Sequence, residues 1–322
     1  MFIRGRGNIC VNKDNNYMPL YTLKSGLKIE KIKISAFKTE KEMQKLVESN
    51  LPMLFNLEFV KSEFALGNLR IDTLAFDPET KCFVIIEYKN DRNFSVIDQG
   101  YSYLALLLNN KADFILEYNE RMKKGLRKDE LDWSQSKVIF ISPEFTRYQK
   151  GAINFRDLPI ELWEISVYEN GMVLIDSIAT PEGSESIETI SPRGESFKEV
   201  LREIKVYSEQ DFLSGLSEEI AELYENLKAR IVSLGGVKIV PKKHYIGFKT
   251  EKNFVDVLPQ KSQVKIWLNM KKGELDDPKA LSRNMKGIGH WGNGEYELIL
   301  NPDADLDYVM TLIKQSFKKQ TQ

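Results

Sequence analysis

The 322-residue chain is poor in the side chains that usually hold metals or crosslinks, with only two cysteines, Cys10 and Cys82, and two histidines, His244 and His290. They are too few and too scattered for a zinc cage or a disulfide framework. Any metal here needs oxygen ligands. No apolar run approaches the roughly 20 residues that span a bilayer. The opening "MFIRGRGNICVNKDNN" also lacks the apolar core of a secretory signal. A cytoplasmic location is the default expectation, with no membrane partner. Net charge is almost absent too, at -1, and argues neither for nor against an anionic partner. What the chain does have is 42% hydrophobic and 11% aromatic content. That is enough for a real core, and the length favours two domains.

The charge is unevenly spread. Residues 1–216 carry 29 basic and 33 acidic side chains, and residues 217–322 carry 17 and 14. Between Lys228 and Lys286 there are 14 basic against 5 acidic residues. This is either a phosphate-facing surface, with Lys242 and Lys243 as candidate contacts, or a lysine-rich solvated face.

Alternation around Ser25-Gly26 in "YTLKSGLKIEKIKIS" predicts a hairpin. A helix follows, with Thr39 and Glu42 able to form a capping box and Met43, Leu46 and Val47 as its apolar stripe. Three strands are expected at 57–66, 69–77 and 82–89, separated by "GN" and "PETK", so consecutive antiparallel pairing is expected. Residues 95–108 read as a helix, with further helical sequence to about Asp129. "KVIFISP" suits a buried strand, and "PIELWEISVYENGMVLID" a hairpin around Asn170-Gly171. Composition then turns rich in Ser, Glu, Pro and Gly, which reads as a linker. The expected layout is 1–176 for a first domain, 177–215 for a linker and 216–322 for a smaller α+β domain. That last part begins with the helix "EEIAELYENLKARIVSLGG" and closes with the amphipathic "DLDYVMTLIKQSF". No internal repeat is present.

The chemistry-bearing stretch is "LRIDTLAFDPETKCFVIIEYKN". Phe83 to Ile86 is fit for a buried strand, yet it runs straight into Glu87 and Lys89. Strand alternation puts Phe83, Ile85, Glu87 and Lys89 on one face and Val84, Ile86 and Tyr88 on the other. Apolar residues on both faces mark a central strand, so its charged end opens at a cleft or buries charge at a cost. Arg70 and Asp72 share a face of the preceding strand. If the "PETK" turn pairs the strands, Asp72 and Glu87 converge, and two adjacent carboxylates repel unless a cation sits between them. Oxygen ligands in that geometry describe Mg²⁺ or Mn²⁺. The bland alternative is an edge charge at Asp72 and an exposed rung at Glu87 and Lys89. The order of elements, ending in a helix with Gln99 and Tyr103 four residues apart on one face, speaks for a site.

The succession of "RID", "VIIEYK" and Q-x-x-x-Y over residues 37–145 resembles the PD-(D/E)XK nuclease superfamily, most of all its RecB-type and NucS-type branches. The resemblance implies an α/β restriction-endonuclease-like core, a mixed sheet flanked by helices. It further implies that Asp72 and Glu87 hold the catalytic metal with the Tyr88 carbonyl as a possible third ligand, and that Lys89 activates the attacking water. Glu40 best matches the N-terminal helical glutamate of the family, with Glu42 and Glu48 as rivals. Gln99 and Tyr103 match the helix motif that supports the site or contacts nucleic acid. The first motif here reads "IDT", without the proline of the family name. The implied activity is Mg²⁺-dependent endonucleolytic hydrolysis of DNA, with RNA and a homodimer open. The alternative is a catalytically silent nucleic-acid-binding or regulatory protein on the same scaffold. Arg70 is a further candidate contact.

The C-terminal part is similar to an uncharacterised domain family found behind nuclease-like domains, through "HYIGFK", "IWLN" and "GIGHWGNGEYELIL". Gly287, Gly289, Gly292 and Gly294 around His290 and Trp291 are turn glycines or a backbone cradle for phosphate. Tyr245, Phe248, Trp267 and Trp291 are core aromatics or a stacking platform for bases.

Overall fold

The structure is a computed structural model that describes residues 19–67, 69–90, 94–155, 158–181, 184–185 and 200–321. The expected hairpin is present, β1 (Tyr21–Leu23) pairing with β2 (Ile29–Lys31), with the reversal made at Gly26, φ 73°. After the two-residue β3 (Ile34–Ser35), Thr39 caps α1 (Glu40–Glu48) by accepting the Glu42 backbone N–H at 3.2 Å. The Glu42 carboxylate takes the Lys38 backbone N–H at 2.8 Å. A short α2 (Leu51–Phe55) leads into β4 (Glu58–Leu66), β5 (Leu69–Asp77) and β6 (Cys82–Tyr88), paired antiparallel in succession as their turns require. Asn68 of the first turn lies outside the described residues.

Two helices, α3 (Val96–Asn109) and α4 (Lys111–Met122), then carry the chain across one face of the sheet. It returns through β7 (Lys137–Ser142), parallel to β6, the short α5 (Arg147–Ala152), and β8 (Ile160–Tyr168), parallel to β7. The β9 strand (Val173–Ser177) forms the expected hairpin with β8. The mixed sheet runs β3-β8-β7-β6-β5-β4, with β9 attached to β8. All seven residues of β6 are buried, as the run with no polar face demands. Phe83 and Ile85 pack with Leu104, Leu107 and Phe114 on one side. Val84, Ile86 and Tyr88 pack with Met43, Val47 and Leu51 on the other. Each such side chain contributes about 1.5–3 kcal/mol by leaving water, so β6 is fixed on both faces at once.

The stretch read as linker is partly core. Val200 and Ile204 are buried against the first sheet's cluster, because their branched side chains recur at the four-residue spacing of one helical face. Residues 182–183 and 186–199 lie outside the described residues. After α6 (Glu209–Leu213), α7 (Glu218–Val232) buries Ile220, Leu223, Tyr224, Leu227 and Ile231, one stripe of a 3.6-residue period. The second sheet is antiparallel throughout, in the order β10-β11-β12-β13-β15-β14. Its strands are β10 (Lys238–Pro241), β11 (Ile246–Lys249), β12 (Asn253–Pro259), β13 (Val264–Leu268), β14 (Arg283–Asn284) and β15 (Tyr296–Leu300). The closing α8 (Leu306–Thr321) buries Val309, Met310, Leu312 and Ile313. No helix among the described residues is long and apolar enough to cross a membrane.

The second sheet meets the first through the "PETK" turn. Glu79 of that turn accepts hydrogen bonds from the Tyr245 hydroxyl at 3.1 Å and the Asn253 amide at 3.2 Å. Lys243 pairs with Asp132 at 3.2 Å. Behind Glu79, Asp256 is fully buried and pushed up to about 7, first by burial and then by the Glu79 charge, against donors from Asn253 and Asn293.

The glycines of "GIGHWGNGEYELIL" have distinct roles. A Cβ on Gly294, which has φ 84°, would lie 1.9 Å from the Leu268 carbonyl oxygen, and one on Gly292 would strike the Trp267 ring at 2.5 Å. Gly287 has φ 78° but nothing within 4 Å. Gly294→Ala is therefore expected to destabilise the protein by at least about 2 kcal/mol, against about 1 kcal/mol for Gly287→Ala. Urea denaturation of the two variants measures the difference, and equal losses would mean the close backbone approach at Gly294 is not real.

Candidate functional site

Thr73 faces Ile86 across the β5–β6 pair, so the next rung brings Asp72 opposite Glu87. There the ladder gives way to side chains. The Asp72 backbone N–H donates to Glu87 Oε1 at 3.0 Å, and the Tyr88 backbone N–H donates to Asp72 Oδ2 at 3.1 Å. Each carboxylate thus takes a backbone donor from the other strand, which pins the two acids side by side. Lys89 Nζ stands 3.6 Å from Glu87 Oε2 and 5.7 Å from the centre of the Phe94 ring. Sequence alternation placed Glu87 and Lys89 on one face, and their contact agrees with it.

Glu87 is 1% exposed. Its carboxyl is pushed up to about 7, first by burial and second by the Asp72 charge, with the Asp72 N–H, Lys89 and the Tyr103 hydroxyl pulling the other way. Asp72 is raised as well, by burial above all, while the Tyr88 N–H and Lys89 oppose the rise. Two buried acids side by side resist carrying two charges.

The α3 helix supplies the wall over this pair. Tyr103 hydrogen-bonds Glu87, and its hydroxyl also lies 3.4 Å from the Arg70 carbonyl. One turn earlier, Gln99 Oε1 is buried without a hydrogen-bond partner among the described residues. Between them, Gly100 has no room for a side chain. A Cβ there would sit 2.4 Å from the Ile160 side chain, so glycine lets the helix lie close to the sheet.

The three glutamates of α1 separate clearly. Glu40 Oε1 accepts the Asn90 backbone N–H at 2.8 Å, next to Lys89, and its charge adds to the rise at Asp72. Glu42 serves the helix cap. Glu48 belongs to the opposite face of the sheet, accepting from the Thr73 hydroxyl at 2.6 Å and from Gln44 at 2.9 Å. The Tyr88 side chain also lies on that face, with the Thr73 hydroxyl 3.2 Å from its own. Only the Tyr88 backbone belongs to the acid pair.

Two residues escaped the sequence reading. Glu63 on β4 lies between the pairs Ser62–Thr73 and Phe64–Ile71, next to Asp72. It has a left-handed φ of 53°, rare for a non-glycine residue inside a strand. It pairs with Lys41 at 2.6 Å and with Arg70 Nε at 2.8 Å. Nothing in "VKSEFAL" signals that twist. Gln44, 3% exposed, donates to the Asp72 carbonyl at 2.6 Å and to Ser62 at 3.0 Å, tying α1 to the site strands.

Other candidates are not brought to the acids. Asp72 and the turn after Asp77 are separated by about 17 Å of strand, and the second sheet docks at the turn. Lys243 pairs with Asp132 there, and Lys242 lines the crevice between the sheets. Arg70 alone of the three basic candidates lies at the rim of the acid pair. Tyr245, Phe248 and Trp267 are at most 5% exposed: Phe248 lies in the apolar core of the second unit, Tyr245 donates to Glu79, and the Trp267 indole N–H donates to Glu297. Trp291 is 63% exposed and stacks on His244 at 3.7 Å.

Among the described residues there is no cluster of three or more His, Cys, Asp or Glu side chains that could hold a metal ion. The available donors are the Asp72 and Glu87 carboxylates, with the Tyr88 carbonyl beside them. That set is all oxygen and small. It fits a cation such as Mg²⁺, which keeps several waters and takes one or two carboxylates. The raised acids fit a site that accepts a cation or a hydrogen-bonding ligand.

The chain is 47% identical over 302 residues to an uncharacterized protein of Haemophilus influenzae, an alignment covering 94% of this chain and all of that one. Residues 209–320 match the family described as Domain of unknown function (DUF5655). Similar solved structures include EndoMS in complex with double-stranded DNA, at 18% identity and TM-score 0.26 over 38% of this chain and 42% of that one. EndoMS in apo form matches at 16% and 0.24, over 41% and 59%. A repair endonuclease from Pyrococcus abyssi matches at 15% and 0.22, over 37% and 44%. The chain thus spans less than two thirds of the length of these three proteins, and its fold is described by its own topology. It belongs to the same family as the Haemophilus influenzae protein, with a DUF5655 segment at its C-terminal end.

Proposed function

We propose that the first unit is a Mg²⁺- or Mn²⁺-dependent nuclease of PD-(D/E)XK type that hydrolyses phosphodiester bonds in DNA. The observation that carries this reading is the pairing of Asp72 and Glu87 on one rung, held by reciprocal backbone donors, with Lys89 alongside. Bound between those carboxylates, a divalent cation would neutralise charge at phosphorus and acidify a water molecule.

The chain's own groups divide the remaining work. Lys89, 3.6 Å from Glu87, donates to the attacking water and to a nonbridging phosphoryl oxygen, where negative charge builds up. Tyr103 holds Glu87 in place by its hydrogen bond, and Gln99 offers its buried oxygen one turn earlier on α3. Glu40 fixes the backbone just past Lys89. Arg70, held by Glu63 at the rim, contacts the nucleic-acid backbone, which needs a cation there. Phosphodiester hydrolysis requires a cationic centre, a polarised water and a cation on the nonbridging oxygen, and these residues account for each requirement.

Purified protein incubated with Mg²⁺ and single-stranded, duplex or forked DNA is expected to cut at least one form. Asp72→Asn or Lys89→Ala is expected to lower the rate at least about 10²-fold with the circular dichroism spectrum unchanged. Absence of cleavage in Mg²⁺ and Mn²⁺ across these forms and RNA would leave only a binding scaffold.

The Glu87 carboxyl generates a pH prediction. Its folded value of about 7 lies above its ordinary 4.5, so its contribution to stability is full below about pH 4.5 and is lost as pH rises through 7. Without divalent ions, the wild type should therefore lose more stability between pH 5 and 8 than Glu87→Gln, by a few kcal/mol at most. Adding Mn²⁺ at pH 8 should raise the melting temperature of the wild type and leave that of Glu87→Gln unmoved. Matching pH profiles would show that Glu87 is not held against its ionisation.

A further inference from the structure

We infer that the β1–β2 hairpin and the outer edge of β9 form a two-fold interface with a second copy of this chain, each hairpin lying along the β9 edge of its partner. The hairpin has an apolar face that its own chain leaves open. Leu23 pairs with Ile29 and Tyr21 with Lys31, so alternation puts Tyr21, Leu23 and Ile29 on one side of the ribbon. Leu23 is 67% and Ile29 65% exposed, and Tyr21 and, in the turn, Leu27 are exposed with them. None of these four side chains belongs to a hydrophobic cluster of the fold. A two-stranded ribbon alone is marginally stable in water, so apolar side chains held out on one ask for a surface to lie on.

The β9 edge has the matching features. Val167 of β8 pairs with Ser35 of β3 on one side and with Val173 of β9 on the other, so the outer edge of β9 has no strand partner among the described residues. Met172, Val173 and Leu174 are exposed along it. The other sheet edges are guarded against pairing. On β4 the register breaks after Phe59, and Lys61 and Glu63 carry ion pairs. The β10 strand holds Lys238 and ends in Pro241, and β3 and β14 are two residues long. The "VLIDS" of β9 has no proline, no lysine and no break in register. Charge selects the occupant. Residues 21–33 hold four lysines and Glu30. Lys24 takes Glu30 at 3.1 Å, which leaves Lys28, Lys31 and Lys33 without an ion pair among the described residues. Residues 169–177 hold Glu169 and Asp176 and no basic residue, and neither acid has an ion pair among the described residues. A basic apolar ribbon and an acidic apolar edge thus sit on one chain, and they are neighbours, since the Glu169 backbone N–H donates to the Lys33 carbonyl at 2.9 Å. Carrying both halves of a contact side by side is what a self-complementary two-fold interface requires. Strand addition at the β9 edge supplies backbone hydrogen bonds, and the facing apolar side chains leave water.

The interface is independent of the nuclease reading. Sedimentation equilibrium of the full-length chain over a range of concentrations, without nucleic acid or divalent ions, should give twice the chain mass of 37.2 kDa at high concentration and dissociation on dilution. Leu23→Asp and Val173→Lys should each raise the dissociation constant of the dimer at least about tenfold, because each puts a charge into the contact, with the circular dichroism spectrum unchanged. Met53→Lys, at an exposed apolar residue of α2, should dimerise as the wild type does. Two charge-reversed chains make the test specific. Lys28→Glu with Lys31→Glu in one chain, and Glu169→Lys with Asp176→Lys in another, should each stay monomeric where the wild type is a dimer. An equimolar mixture of the two should dimerise again, since each hairpin then meets an edge of opposite charge. A monomer at every concentration overturns the inference and leaves the surface to a different protein. A dimer that survives Leu23→Asp or Val173→Lys, or a mixture of the reversed chains that stays monomeric, overturns it as well.

Discussion

Burial of β6 on both faces is the constraint from which the rest of the first unit follows. A strand wedged between the α1 side and the α3 side cannot rotate or slip by one residue without driving its apolar side chains into the wrong layer. Phe83 and Ile85 fix one face and Val84, Ile86 and Tyr88 the other. The polar groups at its end are therefore delivered to one place. Glu87 has no freedom to turn outward, and burial costs are met by local donors: the Asp72 N–H, the Tyr103 hydroxyl and the Lys89 ammonium. Those contacts do not suffice to hold the carboxyl at its ordinary value, and the residual mismatch is located beside Asp72.

The parts of this arrangement legible in the sequence were those that repeat or punctuate. Alternation and turn chemistry marked β4, β5 and β6 and the hairpin of β8 with β9. The Thr39 cap marked the start of α1. The pairing of Asp72 with Glu87 followed from strand alternation and the turn between them. Glu63 was illegible because its left-handed backbone is a three-dimensional accommodation, and a glutamate in "SEFAL" looks like any solvated strand residue. Glu48 was ambiguous among the α1 acids because a helix presents several faces, and only the position of Thr73 decides which one it serves. Val200 and Ile204 were hidden by the Ser- and Glu-rich sequence before them, since composition averaged over a window does not register two well-spaced apolar anchors.

The docking of the second sheet is a different kind of miss. A local excess of lysine says that a surface is basic, but not which end of the first sheet it faces. That end is set by Glu79, a turn residue that enters the polar pocket of Tyr245, Asn253 and Asn293. Asp256 behind it is held by the same amides. Two carboxylates sharing their donors are individually satisfied and mutually repelled, so the interface is specific about position without being a pure source of stability. Of the basic run, Lys242, Lys243 and Lys249 lie at this junction, while Lys228, Arg230, Lys279 and Arg283 pair with acids of their own unit.

Both ends of the β5–β6 pair thus carry acids under electrostatic tension, and the two differ in what surrounds them. At the turn, Asp256 is enclosed by three amide-type donors, and its surroundings are complete as they stand. At the other end, Asp72 and Glu87 each take one backbone donor from the opposite strand, and Lys89 stands 3.6 Å away rather than at hydrogen-bond distance. A fold that needed only to bury these residues would do better with apolar side chains of similar size, because ion pairs in a core rarely repay their desolvation. Retaining two raised carboxylates and an ammonium where β5 and the doubly buried β6 end is a cost in stability. Such costs concentrate where a ligand is meant to complete the set.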